Sequence, residues 1–113
     1  MIEPALLSAA LQSFATGAAK REGAHFRFAI LFGSYARGEA DEDSDVDVAV
    51  VLDRWSGGML DEVLALSEIA YDVLLETGVL IQPVPVRLEE WEHPDRYPNP
   101  RFLENVRREG VPL

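Results

Sequence analysis

The stretch that decides the reading is LFGSYARGEADEDSDVDVAVV, residues 31–51. It opens on the end of one apolar run, FRFAILF (26–32), whose aromatic and branched side chains favour a strand. It closes on a second, VDVAVVL (46–52), which reads as a largely buried strand. Between them stand Gly33-Ser34, then YARGE, which suits a short helix or a turn, then the acidic loop EADEDSD (39–45). Gly33-Ser34 therefore sits where a buried strand ends and a helical turn can begin. Free backbone N–H groups at such a point form a seat for phosphate, and a serine hydroxyl adds a donor. Glycine lets a ligand come close to the backbone. Ten residues separate Ser34 from Asp45, which is followed by Val46 and Asp47. In an extended strand Asp45 and Asp47 share a face with their Cα atoms about 7 Å apart. Carboxylates so placed can converge on a hard divalent cation, and Mg²⁺ is commonly held by one or two carboxylates plus substrate phosphates.

Outward from this motif, residues 4–21 read as a helix that stacks Leu7, Ala10, Leu11, Phe14 and Ala18 on one face, with Pro4 in its first turn and Gly23 ending it. After the second strand, 54–58 form a loop. Leu60, Val63, Leu64, Ser67, Ala70 and Leu74 then keep helical spacing, Asp61 and Glu62 complement the dipole, and Gly78 closes the helix. VLIQPVPV (79–86) is extended, and Pro83 and Pro85 place it at a sheet edge. Residues 89–98 read as a solvated loop, with Trp91 and Tyr97 as satellite-core aromatics. Asn99-Pro100 opens a last short helix that stops at Gly110. The order α, β, short α, β, α, β, α predicts an α/β (α+β) fold with a small mixed sheet and helices packed against it. The expectation is one domain over 1–113, with its motif core at 26–52.

Composition bounds the function. With 113 residues, 48% apolar and 27% charged, the chain reads as an ordinary globular protein rather than a disordered one. No cysteine means no disulfide framework, no thiolate zinc site and no thiol catalysis. His25 and His93 lack metal-ligand spacing and carry no functional assignment. Twenty acids against ten bases give −10, a surface that repels phosphate backbones, so direct binding to nucleic acid is not expected. Apolar runs such as 29–32 and 48–52 are too short to span a bilayer, and the N-terminal charge order is the reverse of a signal peptide. The expected location is the cytoplasm.

Rival motifs fail on single residues. A Walker loop needs Lys where Gly33-xxxx-Gly38 is followed by Glu39. An EF-hand begun at Asp41 would need Gly at position 46 and an acid at position 52, where Val46 and Leu52 stand. A dinucleotide fingerprint would need Gly in place of Tyr35.

Gly33-Ser34, ten residues, then Asp45-x-Asp47, with Ala36-Arg37-Gly38 inside and Ser44 just before, resembles the minimal nucleotidyltransferases of the DNA polymerase beta superfamily. Such proteins are similar to the catalytic core of kanamycin nucleotidyltransferase, and the resemblance covers roughly residues 20 to 90. It implies a nucleotidyltransferase fold, phosphate contacts from Gly33 and Ser34, Mg²⁺ on the catalytic pair Asp45 and Asp47, and AMP transfer from ATP to a hydroxyl. It also implies a role as antitoxin in a two-gene pair whose partner is an all-helical HEPN-domain toxin. Arg37 either reaches phosphate or pairs with the acidic loop; Ser34 either contacts phosphate, caps the helix, or does both.

One departure stands out. The family's active members bring a third carboxylate from a later strand, and the matching segment here, 79–86, contains no acid. Its only polar side chain is Gln82, which cannot serve as a base. Asp72 and Glu76 lie on the preceding helix without anything that places them at the site. The expected function is nucleotide transfer to a hydroxyl on a partner protein. The alternatives are a catalytically impaired module that neutralises its partner by covering it, and a subunit that senses Mg²⁺–ATP. Nothing in the sequence excludes a homo-oligomer.

Overall fold

A computed structural model describes residues 2–113. Helix α1 (Pro4–Glu22) begins on Glu3, whose carboxylate accepts the N–H groups of Ala5 and Leu6 at 3.1 and 3.3 Å, and ends at Gly23. Strand β1 (Phe26–Phe32) leads into the four-residue helix α2 (Ser34–Arg37), and the acidic loop returns the chain to β2 (Val46–Leu52). Helix α3 (Met59–Thr77) follows, then β3 (Ile81–Arg87), α4 (Leu88–Glu92), α5 (Pro100–Glu109) and the two-residue β4 (Val111–Pro112). The strands form one mixed sheet in the order β3-β2-β1-β4. β1 runs antiparallel to β2 and to β4, and β2 runs parallel to β3.

Both strands of the deciding stretch have the bounds their apolar runs predict. Their alternation feeds two cores, one on each face of the sheet. Val46, Val48, Val50 and Leu52 pack with Phe14, Leu66 and Val73 of α1 and α3. Ala49 and Val51, with Ile30 and Phe32 of β1, pack against Leu103 and Val106 of α5. Asp47 belongs by strand alternation to this second face. Helices α1 and α3 meet closely at Gly17, where an added Cβ would stand 2.7 Å from Ile69 Cγ2.

β3 is an edge strand, as its prolines require. Pro83 and Pro85 are two residues apart, so both missing N–H groups point to one side. The unbroken register from Val46↔Ile81 to Leu52↔Arg87 leaves the outer side for them, which blunts that edge against a further strand.

Two expectations need correction. The inward face of α3 keeps Ala70 of the Leu60–Leu74 stripe but not its start: Leu60 and Leu64 are 68% and 56% exposed, and Glu62, Leu66 and Val73 are buried with Ala70. The helix is apolar on both stripes, and packing against Phe14 of α1 and against the sheet decides between them. Segment 89–98 is not all loop, since α4 and a 3₁₀ turn (Pro94–Arg96) occupy much of it. Trp91 and Tyr97 do serve the core there, Trp91 edge-on to Phe28 at 5.5 Å and Tyr97 stacked on Phe102 at 6.2 Å.

Candidate nucleotide-binding site

At the end of β1 the chain turns sharply. Gly33 has φ +78° and ψ −158°, a conformation open to glycine and strained for other residues. It stands at the N-cap of α2, and its carbonyl accepts the N–H groups of Ala36 and Arg37 at 3.1 and 3.2 Å. The N–H groups of Ser34 and Tyr35 precede these bonds and are the turn's spare donors. Ser34 is thus the first helical residue rather than the cap, and no side chain caps this helix. Gly38 takes the left-handed conformation that stops α2, with Glu39 donating its N–H to Ser34 O at 2.9 Å. Tyr35 packs against the α1/α3 core.

The register Phe32↔Asp47 carries Asp47 to the same spot. Its carboxylate lies so close to Gly33 that a Cβ there would sit 2.7 Å from Oδ2. Burial, and then the charge of Asp45, push the Asp47 carboxyl above its ordinary value, while Arg37 pulls the other way. Asp45 itself is exposed at the entrance to β2. A turn closed by Asp41 and Ser44 delivers it there: Asp41 N–H donates to Ser44 Oγ at 2.8 Å, and Ser44 N–H to Asp41 O at 3.2 Å.

Across the parallel ladder, Asp47 pairs in register with Gln82, so the two side chains rise on the same face of adjacent strands. Gly33, Ser34, Asp45, Asp47 and Gln82 are therefore gathered at one end of the sheet. Asp72 and Glu76 are not: they line a separate hollow between α1 and α3 with Ser13 and Lys20. Among the described residues no three His, Cys, Asp or Glu side chains form a metal-binding group. The donor set at the motif is a carboxylate pair plus an amide. Two like charges crowded together, one of them half-buried, fit a divalent cation that also takes phosphate oxygens.

Arg37 is tied down on both sides. Its Nε meets Glu39 Oε2 at 3.3 Å and its Nη1 meets Glu109 Oε2 at 3.4 Å. The Glu39 contact is the pairing with the acidic loop that the sequence left open. Glu109 is new, since nothing in local spacing links the end of α5 to a residue on α2. With Phe102 and Asn105, Glu109 also helps to line a cavity of about 310 Å³ that reaches Gly33 and Arg37. A larger cavity of about 670 Å³ lies at the opposite end of the sheet, between Arg21, His25, Arg54 and Trp55, and holds none of the motif residues. The chemistry of the side chains, not the size of the hollow, selects the site.

Residues 13–107 match the family described as Nucleotidyltransferase domain. This chain belongs to that family. The nucleotidyltransferase domain is 31% identical over 101 residues to a candidate protein adenylyltransferase of Methanocaldococcus jannaschii, covering 89% of this chain and 91% of the relative. A second candidate protein adenylyltransferase of the same organism is 44% identical over 55 residues, 49% of this chain, and the match spans about half, 54%, of that relative's length. Among solved structures, a candidate minimal nucleotidyltransferase superposes with a TM-score of 0.65 at 28% identity, over 99% of this chain and 97% of the other. A toxin–antitoxin protein solved with AMP-PNP shares the nucleotidyltransferase fold at a TM-score of 0.58 and 18% identity, over 86% of this chain and 67% of that one. Among the described residues no helix is long and apolar enough to cross a membrane.

Proposed function

We propose that this chain is a Mg²⁺-dependent nucleotidyltransferase that moves AMP from ATP to a hydroxyl on a partner protein. The observation that carries this reading is the meeting of Gly33 and Asp47, with Asp45 beside them: a spare-donor turn against a crowded carboxylate pair. The N–H groups of Ser34 and Tyr35, and the Ser34 hydroxyl, hold the triphosphate oxygens. Asp45 and Asp47 hold Mg²⁺, which when bound neutralises charge gathering on the phosphates. The acceptor oxygen forms a bond to the α-phosphorus, the bond from that phosphorus to the bridging oxygen breaks, and pyrophosphate leaves. Gln82 cannot take the hydroxyl proton, so it passes to water. Family membership and the names of the relatives support transfer to protein; the sequence resemblance supports an antitoxin role toward a HEPN-domain toxin, in the cytoplasm and within a single domain.

One observation favours a second reading. Gln82, in register with Asp47, is the uncharged side chain on the strand from which the family resemblance expects a third carboxylate. In that reading the protein binds Mg²⁺–nucleotide and neutralises its partner by covering it, without transfer.

Titration calorimetry with the four nucleoside triphosphates, with and without Mg²⁺, on wild type and Asp45→Asn, tests the site. Metal-dependent ATP binding that the variant loses is the expected result. Absence of binding to every nucleotide overturns it. Label from α-³²P-ATP entering a partner protein then separates transfer from the covering role.

A further inference from the structure

Helix α3 carries an apolar stripe that the fold leaves uncovered. Leu60, Leu64, Tyr71 and Leu75 are 68%, 56%, 57% and 68% exposed, and their spacing of four, seven and four residues puts them within one narrow arc of the helix. Leu80, just before β3, extends the stripe and is 54% exposed. Between α3 and β3 the stripe opens into a groove of about 380 Å³ with Ser67 and Tyr71 on one wall and Leu80, Gln82 and Pro83 on the other. Exposed apolar area of this extent on one helix face marks an interaction surface.

Charge says what covers it. Asp61, Glu68, Asp72 and Glu76 recur along one flank of the stripe, all exposed, and α3 contains no basic residue. A second copy of this chain would set acid against acid on a protein of net charge −10. An anionic lipid surface would be repelled for the same reason. The β3 edge, lacking two N–H donors, gives a partner no strand to extend.

We propose that this face of α3 docks a partner protein through an apolar helical ridge flanked by lysines or arginines. The ridge lies along the exposed stripe as an amphipathic helix lies on its receptor, with leucine-like side chains between Leu64, Tyr71 and Leu75. The basic flank answers the row of acids and steers approach at low salt.

The test uses the full chain and two synthetic helical peptides of one leucine ridge, flanked by lysines in the first and by glutamates in the second. Amide shifts of the ¹⁵N-labelled protein locate binding, and titration gives its strength. The lysine peptide is expected to perturb Leu60, Leu64, Tyr71 and Leu75. It should bind at least about tenfold more tightly than the glutamate peptide and lose about tenfold in the Leu64→Ser/Leu75→Ser protein. Equal binding of both peptides, or no loss in the variant, overturns the proposal. So does concentration-dependent dimerisation that the variant abolishes, which assigns the face to a second copy. Mg²⁺–ATP calorimetry on the same samples keeps the two readings apart. Peptide binding without nucleotide binding leaves the docking face standing and removes the transferase, whereas nucleotide binding with no peptide binding does the reverse.

Discussion

The Asp47 carboxylate lies against the backbone of Gly33, with room there for a hydrogen and not for a methyl group. Sheet register makes this contact: Phe32 is opposite Asp47, so the turn that follows β1 closes over the first polar side chain of β2. Gly33→Ala meets two penalties, a Cβ 2.7 Å from Oδ2 and a φ of +78°. The backbone strain alone should cost about 1–3 kcal/mol of stability, read by urea unfolding. The displaced carboxylate should remove Mg²⁺-dependent ATP binding, read by calorimetry. A variant that unfolds normally and binds ATP as wild type does would show that the contact is incidental.

The charge of Asp45 should be felt in the titration of Asp47. Burial and Asp45 raise the Asp47 carboxyl, so Asp45→Asn should bring its titration down, as ¹³C carboxyl shifts will read. Because Asp47 binds its proton more tightly folded than unfolded, the metal-free protein loses stability as pH rises through the raised value. Mg²⁺ should reverse that loss at neutral pH, and Asp47→Asn should make the protein indifferent to Mg²⁺ in thermal unfolding.

Much of this was legible because β1 and β2 are local runs: FRFAILF and VDVAVVL are apolar enough to announce buried strands, and the residues between them are too polar to be anything but a connection. Gly33, Ser34, Asp45 and Asp47 lie within fifteen residues, so one hairpin-like turn of chain suffices to bring them together. Gln82 came to notice through the family resemblance, while its register opposite Asp47 is a long-range pairing of β3 with β2. What escaped depends on long-range packing. The stripes through Leu64 and Leu66 are both apolar, and only packing against α1 and the sheet chooses the second. β4 is two residues long and exists because Val111 and Pro112 meet Leu31 and Ile30. Glu109 reaches Arg37 across 72 positions, a contact with no local spacing to reveal it.

Gln82→Asp should restore a group able to take a proton beside Asp47. Their pairing in register predicts a rise in transfer of AMP to protein of about tenfold or more, since a positioned general base contributes roughly 10²–10⁴-fold. The measurement is incorporation of α-³²P label, with Asp45→Asn/Gln82→Asp as the background. An unchanged rate in Gln82→Asp would place the base elsewhere or confine the protein to binding.

Glu62 makes an independent claim on stability. It turns inward with 6% exposure, and burial together with Glu22 pushes its carboxyl up to about 7 from 4.5. The folded state therefore holds its proton more tightly than the unfolded state does. Its contribution is fully present below about pH 4.5 and is lost as pH rises toward 7. Glu62→Gln keeps the shape and removes the charge, so it should add about 1–3 kcal/mol at pH 8 and little at pH 4.5, by urea unfolding. An equal gain at both pH values would trace the effect to packing instead.

Arg37 stands beside the proposed phosphate seat but is engaged by Glu39 and Glu109, both of which raise its pKa, Glu39 more strongly. A triphosphate arriving at Gly33 competes with those carboxylates for the guanidinium. Exposed ion pairs of this kind are weak, so releasing one should tighten ATP binding by about two- to fivefold and no more. Glu109→Gln is the variant of choice, because Glu39 lies next to the turn and its loss would disturb the loop. The gain should fade at high salt, where such pairs are screened. If Arg37 only braces α2 against α5, Glu109→Gln will leave the ATP dissociation constant unchanged and lower stability slightly, and Arg37→Gln will do the same. Loss of ATP affinity in Arg37→Gln alongside a gain in Glu109→Gln would identify Arg37 as a phosphate ligand that α5 holds back until nucleotide arrives.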